Sequence, residues 1–331
     1  MGYWILIYAV IAFISYWFFV RGKEFNFKNR WKDFKSRFFN SKLIFIPIAL
    51  LAILFSSFMY YQTQIKHTYF SRVENLERSA YYEKTFKRYR NAPSPKATHV
   101  DYKFNLYPNE RKYDLECKID MVNKEDTAIH VIYINNDLEN PAEIKIPGAK
   151  LIAEDKKSTF NFQTYEFEKP LQVGDSFQLS YTYNEAYSGI ENEIQNQRLL
   201  TNGTFIDFGS FTPMIGYQEE NEIGDKSDRE KYGLPVKAES MPALEKTCSK
   251  ACMRDYVGGL GDWVTIHSVI STSNEQRAIA PGSLVKEWSK NDRNYFEYDL
   301  SQPSKFFFSI VSGNYEILKD TTRGVACEVY Y

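Results

Sequence analysis

Histidine and cysteine are scarce in this chain, four of each in 331 residues, and neither is arranged for metal chemistry. His67, His99, His130 and His267 lie far apart, and no His-Glu-x-x-His helix sets two imidazoles one turn apart on a zinc ion. Gly258, Gly259 and Gly261 match neither the phosphate-cradling loop nor the dinucleotide fingerprint, and no Gly-x-Ser-x-Gly elbow carries a nucleophile. Asp225 and Asp228 lack the alternating oxygen ligands of a calcium loop and read as a solvated acidic turn. His267 reads as a hydrogen-bonded structural histidine within a strand. Charge is balanced, 41 Lys and Arg against 42 Asp and Glu, so nothing draws the chain to nucleic acid or an acidic polymer. Repeats and low-complexity tracts are absent as well. The residues therefore offer no catalytic group, no metal ligand set and no cofactor site.

What is present begins with two uncharged apolar runs, residues 2–20 and 43–61, each 19 residues long. At the helical rise each spans roughly 28 Å, close to the hydrocarbon thickness of a bilayer. Between them Arg21, Lys23, Lys28, Arg30, Lys32, Lys35, Arg37 and Lys42 stand against only Glu24 and Asp33. Positive charge in a short loop marks the cytoplasmic side, so the runs predict a transmembrane hairpin, N-out and C-out, with a basic loop over residues 21–42. Tyr3, Trp4, Trp17, Tyr60 and Tyr61 lie near the run ends, where aromatic rings favour the headgroup region, and Pro47 falls in the first turn of the second run. A cleavable signal places its positive charge before the apolar stretch; here the charge follows. The lipid bilayer is thus the expected partner, and residues 62–331 are expected outside the cytoplasm.

Residues 62–91 change to a helical pattern. Ile65, Tyr69, Val73, Leu76 and Ala80 form a stripe, with Glu74, Glu77, Arg78, Glu83 and Lys84 on other faces. This predicts a stalk that packs on the following domain, or else a helix lying on the bilayer, ended by Pro93 and Pro95. From residue 96 the period is two. Val100, Tyr102, Phe104 and Leu106 alternate with polar neighbours, as do Tyr113, Leu115, Cys117, Ile119 and Met121. Further strands are legible at residues 128–134, 159–167, 176–183, 264–272, 284–288, 295–300, 306–311 and 315–318. Turns fall at Gly174-Asp175, Pro281-Gly282 and Asn291-Asp292. Residues 219–231 are dense in both charges and read as a solvated loop, and residues 242–257 as a helix. The fold class is an N-terminal transmembrane hairpin followed by a mainly-β domain, an antiparallel saddle or sandwich. Its segments are the hairpin at 1–61, the stalk and linker at 62–95 and the β domain at 96–331.

A resemblance extends this reading. Tyr81-Tyr-Glu-Lys-Thr-Phe-Lys-Arg-Tyr89, Asn105-Leu-Tyr-Pro-Asn-Glu-Arg-Lys-Tyr113, Met121-Val-Asn-Lys124, Asn202-Gly-Thr-Phe205, Pro213-Met-Ile-Gly-Tyr-Gln218, Tyr232-Gly-Leu-Pro235, Asp262-Trp-Val264, Ile279-Ala-Pro-Gly282 and Phe306-Phe-Phe-Ser-Ile-Val-Ser312 run in one order. Together they resemble the membrane-linked branch of the aminopeptidase N family of zinc metallopeptidases, in which a peptidase-like part follows the helices of an ABC-type permease. The resemblance implies the family's N-terminal saddle-like β domain, one wall of a peptide cleft. Zinc belongs to a catalytic domain that follows it in the family, and residues 325–331 read as a strand entering that next segment. In the family this β domain can lend a Gln or Glu to the substrate's amino terminus. The corresponding stretch here reads Asn202-Gly203-Thr204, the substrate-binding candidates, without an acidic or Gln side chain; it is also a glycosylation sequon or a plain turn.

The resemblance implies a membrane-anchored, non-catalytic portion of an aminopeptidase-like protein, partnered by a catalytic metallopeptidase domain and a peptide substrate. A tethered binding or sensory module and an accessory subunit of an ABC permease are the alternatives. Two thiols remain to be placed. Cys248 and Cys252 lie four apart without further ligands at zinc-site spacing; outside the cytoplasm a disulfide is permitted, but on a helix this spacing meets awkwardly. Cys117 and Cys327 read as buried strand residues. Thiol labelling before and after reduction decides the first pair: four thiols labelled without reductant exclude a Cys248–Cys252 bridge, and two that label only after reduction establish it.

Overall fold

The computed structural model describes residues 2–19, 27–66, 69–155, 157, 160–187, 198–237 and 263–331. The chain divides into a helical unit, within residues 1–69, and a mainly-β unit from residue 70 onward. Residues 242–257, expected to be helical, lie outside the described residues, as do Cys248, Cys252 and His67.

The helical unit holds α1 (Gly2–Phe18) and α2 (Phe27–Tyr60), the latter continuing into a π-helical turn, Tyr61–Lys66. The two helices pack through aromatic contacts. Tyr3 stacks on Phe55, Phe13 and Trp17 meet Phe45, and the Trp17 indole N–H donates to Ser41 Oγ at 2.8 Å. The Arg37 guanidinium donates to the carbonyl of Tyr16 at 3.0 Å and to that of Phe19, closing the C-terminus of α1, whose last carbonyls have no partner within the helix.

Three expectations change here. Only one helix among the described residues, α2 with its extension, is long and apolar enough to cross a membrane, so a two-span membrane hairpin is not supported. α1 ends at Phe18 after 17 residues, about 25 Å of helix, short of the hydrocarbon thickness. The basic segment is not simply a loop, because residues 27–42 are the first half of α2. Pro47 is consequently interior to that helix rather than in its first turn, and forfeits one backbone hydrogen bond there.

The β unit opens with α3 (Arg72–Phe86). Ser71 Oγ accepts from the Glu74 N–H while the Glu74 carboxylate accepts from the Ser71 N–H, a capping box. The helix is therefore started afresh at Ser71, and the continuous stalk expected over residues 62–91 is interrupted. Then follow β1 (Lys96–Tyr107), β2 (Lys112–Val122), β3 (Ile129–Asn135), β4 (Glu143–Lys145), β5 (Ala149–Glu154), β6 (Phe162–Leu171), β7 (Ser176–Ala186), β8 (Leu199–Leu200), β9 (Gly203–Asp207) and β10 (Met214–Ile215). After α4 (Lys226–Lys231) come β11 (Trp263–Ser273), β12 (Arg277–Ile279), β13 (Ser283–Lys290), β14 (Arg293–Lys305), β15 (Ser309–Gly313), β16 (Ile317–Thr322) and β17 (Val325–Tyr330).

The strands form a seven-stranded sheet in the order β13-β14-β11-β1-β2-β7-β4 and two four-stranded sheets, β10-β3-β6-β5 and β12-β15-β9-β8. β16 and β17 stand apart as a hairpin. The mainly-β expectation holds, but the large sheet is mixed: β1 and β11, at its centre, run parallel from His99 beside Thr265 to Asn105 beside Ser271. Asn291 and Asp292 adopt φ of 51° and 58° in the two-residue loop from β13 to β14, left-handed geometry that Asn and Asp tolerate and that suits the strand twist. Gly282, at φ 101°, comes so close to the Asp299 carbonyl that a Cβ would lie 2.4 Å from it.

One hydrophobic core joins all three sheets. Val100, Tyr102, Phe104 and Leu106 of β1 and Leu115, Cys117, Ile119 and Met121 of β2 are buried, as their alternation requires, against Ile132, Tyr165, Ile206 and Ile310. Cys327 departs from expectation. It is exposed, because it lies on the β16-β17 hairpin outside this core.

α3 docks through only the C-terminal part of the predicted stripe, Leu76 and Ala80, joined by residues outside it. Ile65, Tyr69 and Val73 are exposed, whereas Ala80, Tyr82, Glu83 and Phe86 are buried. Phe86 stacks on Phe162 with ring centroids 4.3 Å apart, Tyr82 stacks on Tyr217 at 4.9 Å, and the Tyr82 hydroxyl accepts from the Gln218 N–H. Ala80 packs with Ile223 and Leu234. Residues 219–231 are not the solvated loop that their charge suggested. Arg229 of α4 is 1% exposed and grips Glu83 bidentately, Nη1 to Oε2 at 2.9 Å and Nη2 to Oε1 at 2.7 Å. Its Nε and Nη1 also donate to the carbonyls of Pro235 and Ile223. Glu222, also buried, accepts from the Tyr217 hydroxyl and pairs with Lys87 and Lys237. Burial pushes the Glu83 carboxyl up, but the hydrogen bonds from Arg229 and Lys87 outweigh it and hold the group below its ordinary range.

Breaking this pair from one side leaves a buried charge. Glu83→Gln is expected to cost roughly 3–5 kcal/mol in urea unfolding of the detergent-solubilised chain, and the double change Glu83→Leu with Arg229→Met to recover most of it. Because the folded carboxyl titrates below its unfolded value, its contribution is present above about pH 4.5 and fades as pH falls through the folded value. The wild-type advantage over Glu83→Gln should shrink in that acid window.

Candidate functional site

The three substrate-binding candidates lie together on one tight hairpin. Leu200 pairs with Gly203 across a two-residue loop of Thr201 and Asn202, and Gly203 and Thr204 begin β9, which pairs onward with Gly313 and Ser312 of β15. Asn202 is exposed. Thr204 is buried, and its Oγ1 has no hydrogen-bond partner among the described residues, so Asn202 alone of the three presents a side chain to solvent. Asp225 and Asp228 are not a solvated pair. Asp225 caps α4 by accepting from the Asp228 N–H, and Asp228 is buried beneath Arg72 and Lys231. Among the described residues no group of three His, Cys, Asp or Glu side chains is placed to hold a metal ion. Cys117 is buried between Tyr102 and Tyr181, and burial pushes its thiol well above the ordinary range.

A ladder of polar side chains lies on the outer face of the seven-stranded sheet. Parallel strands in register set side chains of equal offset next to one another, and here β1 and β11 keep an offset of 166 residues. Three bonds cross at that offset: His99 Nδ1 with Thr265 Oγ1 at 2.7 Å, Asp101 Oδ1 with His267 Nδ1 at 2.6 Å, and Ser271 Oγ to Asn105 Oδ1 at 2.8 Å. Lys103 and Val269 occupy the remaining step. Arg293 of β14 extends the ladder by donating to Ser271 Oγ and to the Leu106 carbonyl.

His267 is the centre of this arrangement. Its Nε2 faces Glu297 Oε1 of β14 at 3.2 Å, so one imidazole joins carboxylates from both neighbouring strands. Carboxylates only accept, and a neutral imidazole donates from one nitrogen; only the imidazolium satisfies both contacts. The hydrogen bond to Asp101 raises the imidazole pKa above its ordinary 6.5, partial burial opposes it, and Glu297 adds to the rise. With both nitrogens engaged by carboxylates, and no hydroxyl or thiol among the described residues bonded to either, the group works as a charged tie between strands. It is not placed to act as a general base. The expectation of a structural, hydrogen-bonded His267 holds. Its two carboxylate partners were missed, because choosing them requires knowing that β11 lies between β1 and β14.

No protein-family model and no curated protein sequence matches the chain. Solved structures of the M1 zinc metallopeptidase from Deinococcus radiodurans are similar to it at 10% identity and a TM-score of 0.40, covering 69% of this chain and 44% of that one. A mutant of that enzyme bound to a Tyr-Ser-Ala substrate gives 10% identity and a TM-score of 0.41, over 71% of this chain and 46% of that one. The chain thus spans less than half the length of these enzymes. Likeness at this level assigns neither activity nor residue roles to it.

The charged tie has a pH signature. A raised folded pKa means that the contribution of His267 is complete below about pH 6.5 and is lost as pH rises through the folded value. The melting temperatures of wild type and His267→Gln, taken as a function of pH, should differ most in that acid range and converge under alkaline conditions. A difference that stays constant across the range would contradict the charged assignment.

Proposed function

We propose that this chain is a membrane-anchored, non-catalytic β domain of aminopeptidase type, held outside the cytoplasm by α2 and forming one wall of a peptide-binding cleft. The observation that carries the anchor is the exposure of α2. Leu43, Ile44, Leu50, Leu51, Ile53 and Leu54 are all turned outward, with Leu43 83% and Leu54 70% exposed. An apolar helix uncovered on several faces is stable only against lipid or other helices. The basic residues of the first half of α2 favour the cytoplasmic side for that end.

The aminopeptidase part of the reading rests on the ordered motifs between Tyr81 and Tyr331. In the structure those motifs fall on α3, the β1-β2 hairpin, β9, β10, β12 and β15, and the strands among these share one core. Zinc and the general base would come from a catalytic domain not contained in this sequence. The contribution of this chain would be a surface, with Asn202 at its hairpin tip as the candidate contact to a peptide.

Three measurements test the proposal. Alkaline carbonate should leave the full chain in the membrane fraction, and a tag inserted after Asn91 should be reached by protease added outside the cell; a cytoplasmic tag overturns the topology. A signal sequence would instead be cleaved, releasing a shortened chain. The purified chain should not hydrolyse aminoacyl reporter substrates, and zinc-dependent hydrolysis by it would overturn the non-catalytic assignment.

A further inference from the structure

The first half of α2 carries a pattern that neither an anchor nor topology requires. Phe27, Trp31, Phe34 and Phe38 recur at intervals of four, three and four, which places them in one row along the helix. Their rings stack in sequence, with centroids 6.3, 5.0 and 6.0 Å apart. α1 covers the inner end of the row, where Trp17 meets Phe34 and Phe38 and Phe18 stacks on Phe34. The outer end is uncovered: Phe27 is 73% exposed and Trp31 44%.

Cations flank the row on both sides. At 100° per residue, Lys28, Lys35 and Lys42 fall on one flank and Arg30 and Arg37 on the other, with Lys32 farther round. Between residues 27 and 42 six cations stand against the single carboxylate of Asp33, a net charge of +5. Their depth follows from Arg37. Its bonds to the Tyr16 and Phe19 carbonyls fix it at the end of α1, so Lys28, Arg30, Lys32 and Lys35 all lie on the stretch of α2 beyond that end. Ten residues of helix reach about 15 Å, comparable with the headgroup layer together with one screening length in physiological salt.

We propose that residues 27–37 of α2 bind the phosphate groups of anionic phospholipids, with Phe34 and Trp31 of the aromatic row at headgroup depth among the cations. The inference rests on the anchor reading above, since only a membrane-inserted α2 brings these cations to lipid. The occupant is argued from charge complementarity: a concentrated positive segment meets a surface of negative headgroups, and the aromatic row prefers that interfacial depth. Lysine and arginine near such a surface each add to the attraction, and the effect weakens with salt.

The test uses the full chain reconstituted in phosphatidylcholine vesicles that contain a trace of dansyl-labelled phosphatidylglycerol or dansyl-labelled phosphatidylcholine. Energy transfer from tryptophan should be at least about twofold stronger to the anionic probe at low salt, and the excess should fall in half-molar salt. Combining Lys28→Gln, Arg30→Gln, Lys32→Gln and Lys35→Gln should abolish the excess. The charge-preserving set Lys28→Arg, Lys32→Arg and Lys35→Arg should retain it. Equal transfer to both probes in the wild type overturns the proposal, as does an excess that survives in the glutamine variant. Release of the wild-type chain by alkaline carbonate would overturn the anchor reading and this proposal with it. A carbonate-resistant chain showing equal transfer overturns this proposal alone.

Discussion

The parallel pairing of β1 with β11 is the constraint on which the β unit depends. It joins β1, β2, β7 and β4 to β11, β14 and β13 as one sheet. Without it, each set would present a long unpaired strand at an edge, a site for pairing with another chain. Parallel neighbours cannot be joined by a tight turn, so the intervening chain must cross over, and on the way it builds one four-stranded sheet, two strands of the other, and α4. The core is shared among sheets for the same reason. Phe104 and Ile270 of the central pair and Ile206 and Ile310 of a four-stranded sheet all belong to one buried cluster. The polar ladder on the opposite face then holds the same two strands through His99, Asp101 and Asn105.

The second fixed point is the seat of α3. Aromatic stacking supplies area, with Tyr82 and Phe86 laid on Tyr217 and Phe162. Area alone would tolerate sliding by a turn. The two parallel bonds from Arg229 to Glu83 admit one position of the helix, because a shift would leave two buried charges apart. Lys87, Lys237, Glu222 and Tyr217 close the surrounding network, so the desolvated groups keep partners.

Local periodicity made part of this legible. The alternation over β1 and β2 predicted the buried set Val100 to Met121 correctly, and Asn291-Asp292 marked its turn, because both signals depend on neighbours in sequence. Long-range partners were not legible. Arg229 sits in a charge-dense stretch that looks solvated, and Glu83, which buries it, is 146 residues away. The same holds for Asp101 and Glu297 around His267, which strand order alone reveals. Other signals were present and outweighed. Ser71 followed by Glu74 is a capping pattern that ends the stalk, and the spacing of Phe27, Trp31, Phe34 and Phe38 indicates helix within a segment whose charge suggested a loop. At Asn202-Gly203-Thr204 a turn was among the readings, but the burial of Thr204 follows from the pairing of β9 with β15.

The Arg229–Glu83 contact also constrains how this sequence can change over generations. Either residue replaced alone leaves an ion without its counterion in a dry interior, so the route from this pair to an apolar pair passes through an intermediate of much lower stability. Neutral drift can exchange the exposed lysines nearby one at a time. These two positions can be exchanged only as a couple, and among descendants of this chain they should be retained together or lost together.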